Sequence, residues 1–134
     1  MNFSTNLSLY EKTEYRCDDK LSQPIRIGEP HPELDTLLDE GTGAVFITAA
    51  SPYDQKLTDT QNHNRNELLK LMMAIKGLEF YDALGVPPQG AWQPEYSFLV
   101  INTDVDTGIT LASEFEQYAF VYVAKGEAAK LVLI

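Results

Sequence analysis

The chain is poor in cysteine and has no long apolar run. Its one cysteine, Cys17, excludes a disulfide within the chain, and the adjacent Asp18 and Asp19 disfavour the thiolate that a catalytic cysteine needs. No stretch approaches the roughly 20 apolar residues of a membrane-spanning helix. The first residues also lack the basic start and apolar segment of a secretory signal. We therefore expect no membrane association and a cytoplasmic location.

Basic side chains are also scarce. Ten lysines and arginines stand against twenty acidic residues, which gives a net charge of -10. The resulting field repels phosphate backbones and anionic lipid surfaces, so we expect neither nucleic acid nor a membrane as a partner. The acidity either keeps the protein soluble or helps to hold a basic partner, and composition alone does not choose between these two roles.

Apolar residues are plentiful enough for one hydrophobic core. In the 134-residue chain, 44% of the residues are hydrophobic and 10% are aromatic, which suffices for a core without metals or disulfides. No internal repeat, low-complexity segment or linker interrupts the pattern. The sequence therefore predicts a single globular domain over residues 1–134.

The first forty residues predict short additions to a larger core. A short helix is expected at Phe3–Lys12, with extended pieces at residues 13–16 and 24–27. Pro32 near a first helical position and Gly41 as a stop predict a second helix of about two to three turns.

From residue 44 onward, apolar patterns predict five strands and two helices. Buried strands are expected at residues 44–50 and 96–102, further strands at 78–84, 119–124 and 130–134, and a proline-rich loop at 85–94. The last two strands should form a hairpin.

Two amphipathic helices connect these strands. Thr58 and Gln61 have the spacing of a capping box at the start of the first helix, and Gly77 ends it. Its apolar face is expected to contain Leu68, Leu69, Met72, Met73 and Ile75. The second helix follows the cap candidate Asp104 and ends close to Gln117.

The order of these elements predicts the fold class. Strand, helix, strand, strand, helix, strand is the split β-α-β order of ferredoxin-like domains. We therefore predict an α+β fold with a mainly antiparallel sheet, helices on one face, a C-terminal hairpin strand and N-terminal additions. The two most apolar strands, at residues 44–50 and 96–101, should lie at the centre of the sheet. This prediction concerns topology and carries no function.

The predicted topology brings scattered polar residues to one end of the sheet, which we call the rim. The two central strands run antiparallel, so Ser51 after the first should lie near Glu95 before the other, and the long helix begins at the same edge. We predict that the candidate ligand-binding residues of the rim are Thr48, Ser51, Asn62, Arg65, Asn66, Trp92, Glu95, Ser97 and Gln117.

The helical part of the rim allows two interpretations. Asn62 and Asn66 continue the core-facing row of the long helix, and buried amides need hydrogen-bond partners. They either pin the backbone of residues 51–58 or line a ligand pocket. Arg65 and the helix N-terminus are suited to a carboxylate or phosphate. His63 has no second histidine at helical spacing, so no metal site is predicted.

The strand and loop part of the rim is equally open. Glu95 could be a general base whose pKa is raised by burial, or an acceptor of hydrogen bonds from backbone amides, Asn62 or Arg65. Trp92 could cover the edge of the core or stack on a ligand. Ser51 has no neighbouring histidine and no G-x-S-x-G setting, so nucleophilic catalysis is not predicted.

Several short motifs resemble a bacterial family of unknown function, domain of unknown function thirty-two ninety-three, over residues of about 15–134. They are "FITAASP" at residues 46–52, Asn62 and Asn66, "WQPEYS" at 92–97, and "FEQYA" at 115–119. The family commonly has asparagine where Ser51 stands in this chain. The resemblance implies no activity, cofactor or partner, but its polar motifs coincide with the rim.

Two main functions follow as alternatives. The first is a noncatalytic module that uses the rim to hold a small polar ligand, a peptide segment or a protein partner. The second is a small hydrolase or transferase with Glu95 as general base and Arg65 as part of an anion site. No cofactor is predicted. An acidic inhibitor of a basic protein is a third alternative, and the edges of an open sheet would allow a homodimer.

Overall fold

The protein is described by a computed structural model that covers residues 3–91 and 93–134. In this part of the chain the helices are α1 (Phe3–Lys12), α2 (Pro32–Asp35), α3 (Asp59–Ile75) and α4 (Val105–Glu114). The strands are β1 (Glu14–Arg16), β2 (Gly43–Ile47), β3 (Glu79–Val86), β4 (Glu95–Thr103), β5 (Ala119–Ala124) and β6 (Lys130–Leu133). The predicted α+β class is confirmed.

The six strands form one antiparallel sheet in the order β1-β3-β4-β2-β5-β6. As predicted, the two most apolar strands, β2 and β4, are neighbours at its centre. Phe46 of β2 is opposite Leu99 of β4 on one side and Val121 of β5 on the other. Strands that are buried on both faces consist of such apolar residues throughout. The predicted hairpin of β5 and β6 is also present.

Alternate side chains of the sheet enter two separate cores. On one face, Val45 packs with Leu69 of α3 and Leu111 of α4. On the other face, Phe46 belongs to a core that includes Leu34 of α2 and residues around β1. The prediction of helices on one face is therefore wrong for α2. The second face of the sheet is as apolar as the first, and the N-terminal additions cover it.

Helix α3 has the predicted start but a narrower buried face. The buried residues are Asn66, Leu69 and Met73, which follow one another at spacings of three and four. Leu68 is 53% exposed and Ile75 is 71% exposed, so their predicted place on the core face is wrong. Both lie well away from the row of Leu69 around the helix, because each residue turns the helix by about 100°.

Two further elements are shorter than predicted. Helix α2 ends at Asp35, because the N–H groups of Leu37 and Leu38 bond to carbonyls three residues earlier, as in a tight turn. Strand β2 ends at Ile47 rather than at residue 50, because the next residues bond to side chains of α3.

No helix within the described ranges is both long and apolar enough to cross a membrane.

The capping box that starts α3 gives a direct test of local stability. The Thr58 hydroxyl accepts a hydrogen bond from the Gln61 N–H, and the Gln61 side chain accepts one from the Thr58 N–H. We expect Thr58→Ala to lower the free energy of unfolding by about 1 kcal/mol in urea denaturation. Thr60→Ala, an exposed threonine within the same helix, should stay within about 0.5 kcal/mol of wild type. Equal effects of both substitutions would contradict the capping role.

Candidate functional site

The residues after β2 are fastened to α3 by side-chain amides. Asn66, 2% exposed, accepts a hydrogen bond from the Ala49 N–H at 2.8 Å and donates one to the Tyr96 carbonyl at 3.0 Å. Asn62 accepts a hydrogen bond from the Ser51 N–H at 2.9 Å. The Asn62 contact lies within residues 51–58, the segment named in the first of the two interpretations above, whereas Asn66 holds Ala49 and Tyr96, which lie outside it.

Arg65 and Gln117 hold the same loop through its carbonyl groups. Arg65 Nε donates to the Ala49 carbonyl at 2.6 Å, and its Nη2 donates to the Phe115 carbonyl, also at 2.6 Å. Gln117 Nε2 donates to the Ala50 carbonyl at 3.0 Å and to the Phe115 carbonyl at 3.2 Å. Arg65 therefore joins two backbone segments, and this use of its guanidinium differs from the predicted anion site.

Two hydroxyl groups of the rim also bond to backbone atoms. Thr48 Oγ1 donates to the Tyr96 carbonyl at 2.8 Å and accepts from the Ala50 N–H at 3.1 Å. Ser97 Oγ donates to the carbonyl oxygen of Glu95 at 3.1 Å. Both hydroxyls thus support the loop and the start of β4. Trp92, the remaining loop candidate, lies outside the described residues.

The Glu95 carboxylate is bonded to a side chain rather than to the backbone. It accepts a hydrogen bond from Ser51 Oγ at 2.7 Å. Burial, and to a smaller extent the charge of Asp54, raises the pKa of Glu95, while the Ser51 hydrogen bond opposes this shift. Of the donors considered in the sequence, Asn62 bonds to the Ser51 N–H through its Oδ1, and Arg65 donates to the Ala49 and Phe115 carbonyls, so the structure gives the Ser51 hydroxyl as the donor to Glu95. A carboxylate that acts as a general base also needs a pKa above its ordinary value, so that it lies nearer to neutral pH.

Glu95 lies between a small cavity and an open groove. The cavity has a volume of about 70 Å³, and its polar lining includes Tyr10, Thr13, Tyr15, Thr48, Ser51, Asp54, Gln93, Glu95, Ser97 and Gln117. The groove has a volume of about 620 Å³ and is lined by residues that include Lys56, Asp59, Asn62 and His63. Ala50, Ser51, Asp54, Gln93 and Glu95 line both. The two spaces are therefore adjoining parts of one site.

Three residues of this site were missed in the sequence. Tyr10 donates a hydrogen bond to Asp54 Oδ1 at 2.6 Å, and Tyr15 donates one to the Tyr10 carbonyl at 2.6 Å. Burial raises the pKa values of both tyrosines. Asp54 could have been included because it lies in the loop after Ser51. No local pattern indicates Tyr10 or Tyr15, because they reach the site only through the packing of the N-terminal additions.

The loop between β2 and α3 has an unusual backbone. Ser51, Tyr53 and Asp54 have φ values of 50°, 48° and 60°, in the left-handed region that costs a residue with a side chain about 1 kcal/mol or more. Asparagine, aspartate and histidine tolerate this region better than most residues with a side chain, so asparagine would also suit the backbone at the position of Ser51. Such strain is found where surrounding contacts enforce it, often at ligand sites.

The other polar residue near the start of α3 is less constrained. His63 Nε2 lies 4.0 Å from the carboxylate of Glu67, and both side chains are more than half exposed. Among the described residues, no group of three or more histidine, cysteine or acidic side chains could hold a metal ion.

The raised pKa of Glu95 leads to a prediction about stability and pH. A carboxyl whose pKa is higher in the folded than in the unfolded protein stabilises the fold below its unfolded pKa, and this contribution is lost as pH rises through the folded pKa. Glu95→Gln keeps an acceptor for Ser51 but cannot ionise. We therefore expect this variant to unfold at a higher temperature than wild type at pH 7, with the difference shrinking toward pH 4. A variant less stable than wild type at both pH values would contradict this account.

Comparison with known proteins gives one match. The model of a family described as Protein of unknown function (DUF3293) matches residues 47–120, which is more than half of the chain. This confirms the resemblance noted in the sequence, over a shorter range than the motifs suggested. All nine predicted rim residues lie within the matched range. No match was found among curated proteins or among solved structures.

Proposed function

Because this chain belongs to the DUF3293 family, whose function is unknown, we propose a function from the rim itself: a noncatalytic module that binds a small polar ligand. The ligand would lie in the cavity and groove that meet at Glu95. The polar side chains around this place differ in role. Asn62 and Asn66 hold the backbone and also line the groove, Arg65 holds the backbone and lines neither space, and Glu95 lines both spaces.

The observation that carries this proposal is the environment of the Glu95 carboxylate. Burying a carboxylate costs free energy unless it accepts hydrogen bonds. Within the described part of the chain, the Glu95 carboxylate accepts a hydrogen bond from the Ser51 hydroxyl. The surrounding loop is held by at least five hydrogen bonds from α3 and Gln117 and from within the loop. A largely preformed cleft with a few polar groups placed to contact the ligand is the usual form of a small-molecule site, and here most of the polar side chains in the lining already bond within the protein.

A metabolite screen by thermal shift tests this function. A ligand that binds only the folded state raises its melting temperature, so we expect at least one compound to stabilise wild type. The same compound should not stabilise Glu95→Gln. Asp106→Asn, which removes one exposed carboxylate of α4, is the matched control and should keep the full response. If no compound stabilises wild type, or if every hit stabilises Glu95→Gln equally, a ligand site at Glu95 is excluded.

A second candidate function, hydrolysis or group transfer, is favoured by the raised pKa of Glu95, which is suited to a general base. Arg65 adds nothing to this candidate, because its guanidinium bonds to carbonyl groups and lines neither the cavity nor the groove. Turnover of a screening hit that falls with protonation of Glu95 and is absent in Glu95→Gln would favour the enzyme over the binding module.

We extend the proposal to the finer architecture and the setting of the protein. The order β3-β4-β2-β5, with α3 and α4 packed on one face, supports a ferredoxin-like core within the larger sheet. The edge strand β6, whose Leu133 is 52% exposed, would allow strand pairing in a homodimer. The cytoplasm remains the predicted location.

A further inference from the structure

The polar groups of the cavity are arranged to accept hydrogen bonds. Each hydroxyl group that lines it already donates to an oxygen of the protein: those of Tyr10, Thr13, Tyr15, Thr48, Ser51 and Ser97. A hydroxyl has one proton to give, so none of these six has a proton left for a ligand. The exposed amide of Gln93 is the remaining side-chain donor.

Gln117 presents an acceptor to the same cavity. The two protein atoms that bond to the Gln117 amide are the carbonyl oxygens of Ala50 and Phe115, and both are acceptors. The amide atom that bonds to them must therefore be the donor, Nε2. Oε1 is then the atom left for the cavity that Gln117 lines. The residue is only 8% exposed, and Oε1 receives no hydrogen bond from the residues that the structure describes. A buried amide oxygen of this kind requires a donor.

Among the described residues, the charged side chains that line the cavity are acidic. Glu95 and Asp54 both line it, and no lysine, arginine or histidine does so among the described residues. Arg65 of α3 is bonded to the Ala49 and Phe115 carbonyls. The protein as a whole carries a net charge of -10. An anion or a pure acceptor would therefore meet repulsion and find almost no donors.

We propose that the site binds a protonated primary amine, with its ammonium group in the cavity between Glu95 and Gln117 and the rest of the ligand in the groove. This inference rests on the proposed ligand-binding function and specifies the ligand class. An ammonium group carries three donors and no acceptor, which matches two carboxylates and one amide oxygen. The cavity, at about 70 Å³, has room for a head group of a few atoms.

The groove has room for two kinds of ligand that carry an ammonium group. At about 620 Å³ it has the size of an ordinary ligand site, and it opens from the same shared residues, Ser51, Asp54 and Glu95. The ammonium group could belong to a free aliphatic amine or to the lysine side chain of a peptide. Asp59 offers a carboxylate acceptor along the groove in either case.

A panel of compounds that each contain a four-carbon chain tests the inference. Isothermal titration calorimetry at pH 7.5 and low salt would use n-butylamine, putrescine, n-butanol, butyrate and Nα-acetyl-lysine methylamide as probes. We expect heat of binding from the amines and not from butanol or butyrate. Glu95→Gln should weaken amine binding at least about tenfold, because it removes the charge that pairs with the ammonium. Asp54→Asn should weaken it in the same direction, and Asp106→Asn should leave it unchanged.

The outcomes separate this inference from the proposed function. Tighter binding of the lysine derivative than of n-butylamine would support the inference with a peptide as source, and equal binding would support it with a free amine. Binding of butanol or butyrate in preference to the amines, or no response to any amine, would overturn it. A hit from the metabolite screen that depends on Glu95 but carries no cation would overturn it too, while leaving the proposed ligand site in place.

Discussion

Replacement of Asn66 by alanine is expected to lower the free energy of unfolding by about 3 kcal/mol. Its side chain satisfies the N–H of Ala49, which is fully buried, and shares the Tyr96 carbonyl with Thr48. A buried backbone group that loses its partner costs about 1–3 kcal/mol, and the cavity left by the amide adds to this. The main loss is at Ala49, because the Tyr96 carbonyl keeps its hydrogen bond from Thr48.

Asn64 is the matched control for this substitution. It lies on the same helix, two residues earlier, and is exposed. Asn64→Ala should change stability by no more than about 0.5 kcal/mol in urea denaturation, and alanine's helix propensity favours a small gain. If Asn66→Ala were as stable as Asn64→Ala, the amide would not be holding the loop, and the account of the rim as a pinned scaffold would fail.

Gly43→Ala is the second substitution with a large expected effect, about 3 kcal/mol or more of destabilisation. A Cβ at this position would lie 2.7 Å from the carbonyl oxygen of Val123 and closer still to the hydroxyl of Tyr122. The Tyr122 ring is nearly buried, and Val123 belongs to the strand paired with β2, so neither moves without disturbing the core. Overpacking of this kind typically costs 1–3 kcal/mol and more when backbone must shift.

Gly85→Ala provides the comparison for Gly43→Ala. Gly85 is also a strand glycine of the same sheet, but a Cβ there would meet its nearest atoms at 3.9 Å, which is ordinary contact. Its stability should stay within about 0.5 kcal/mol of wild type, measured by urea denaturation under the same conditions. Similar losses in both variants would mean that sheet glycines are needed for backbone flexibility, and close approach at Gly43 would not be the cause.

The parts of the fold that were predictable have local causes. The start of α3 is encoded by Thr58 and Gln61 within a single turn, and the central strands by runs of apolar residues. The convergence of the rim followed from topology, because antiparallel neighbours bring Ser51 and Glu95 together, and they are hydrogen-bonded at 2.7 Å. The order of the strands and helices, together with the positions of the polar residues, was therefore enough to predict that these residues meet at one end of the sheet.

The parts that were mispredicted depend on distant contacts. Leu68 and Ile75 are as apolar as Leu69, and only the position of the sheet decides which of them is buried. The covering of the second face of the sheet depends on pairing between β1 and β3, about 70 residues apart in the chain. No local signal announces such a pairing.

The roles of individual rim residues were the hardest to predict. An arginine near a helix start is suited to an anion, yet Arg65 bonds to the carbonyls of Ala49 and Phe115, two segments that are far from it in the sequence. Asp54, which lies in the loop with the left-handed residues, bonds to Tyr10, and no pattern in either segment indicated this contact. Backbone conformation of this kind depends on surrounding contacts and is not visible in residue type.

The central place of β2 affects how the protein is made. Strand β2 is complete at Ile47, but one of its two neighbours, β5, begins only at Ala119. At a translation rate of about 5–20 residues per second, roughly 4–15 s pass between the synthesis of β2 and that of β5. During this time one edge of the apolar strand β2 has no partner strand. Open edges of apolar strands attract other chains. The nascent polypeptide is thus most prone to aggregation during translation, because both edges of β2 can be paired only after β5 has been synthesised.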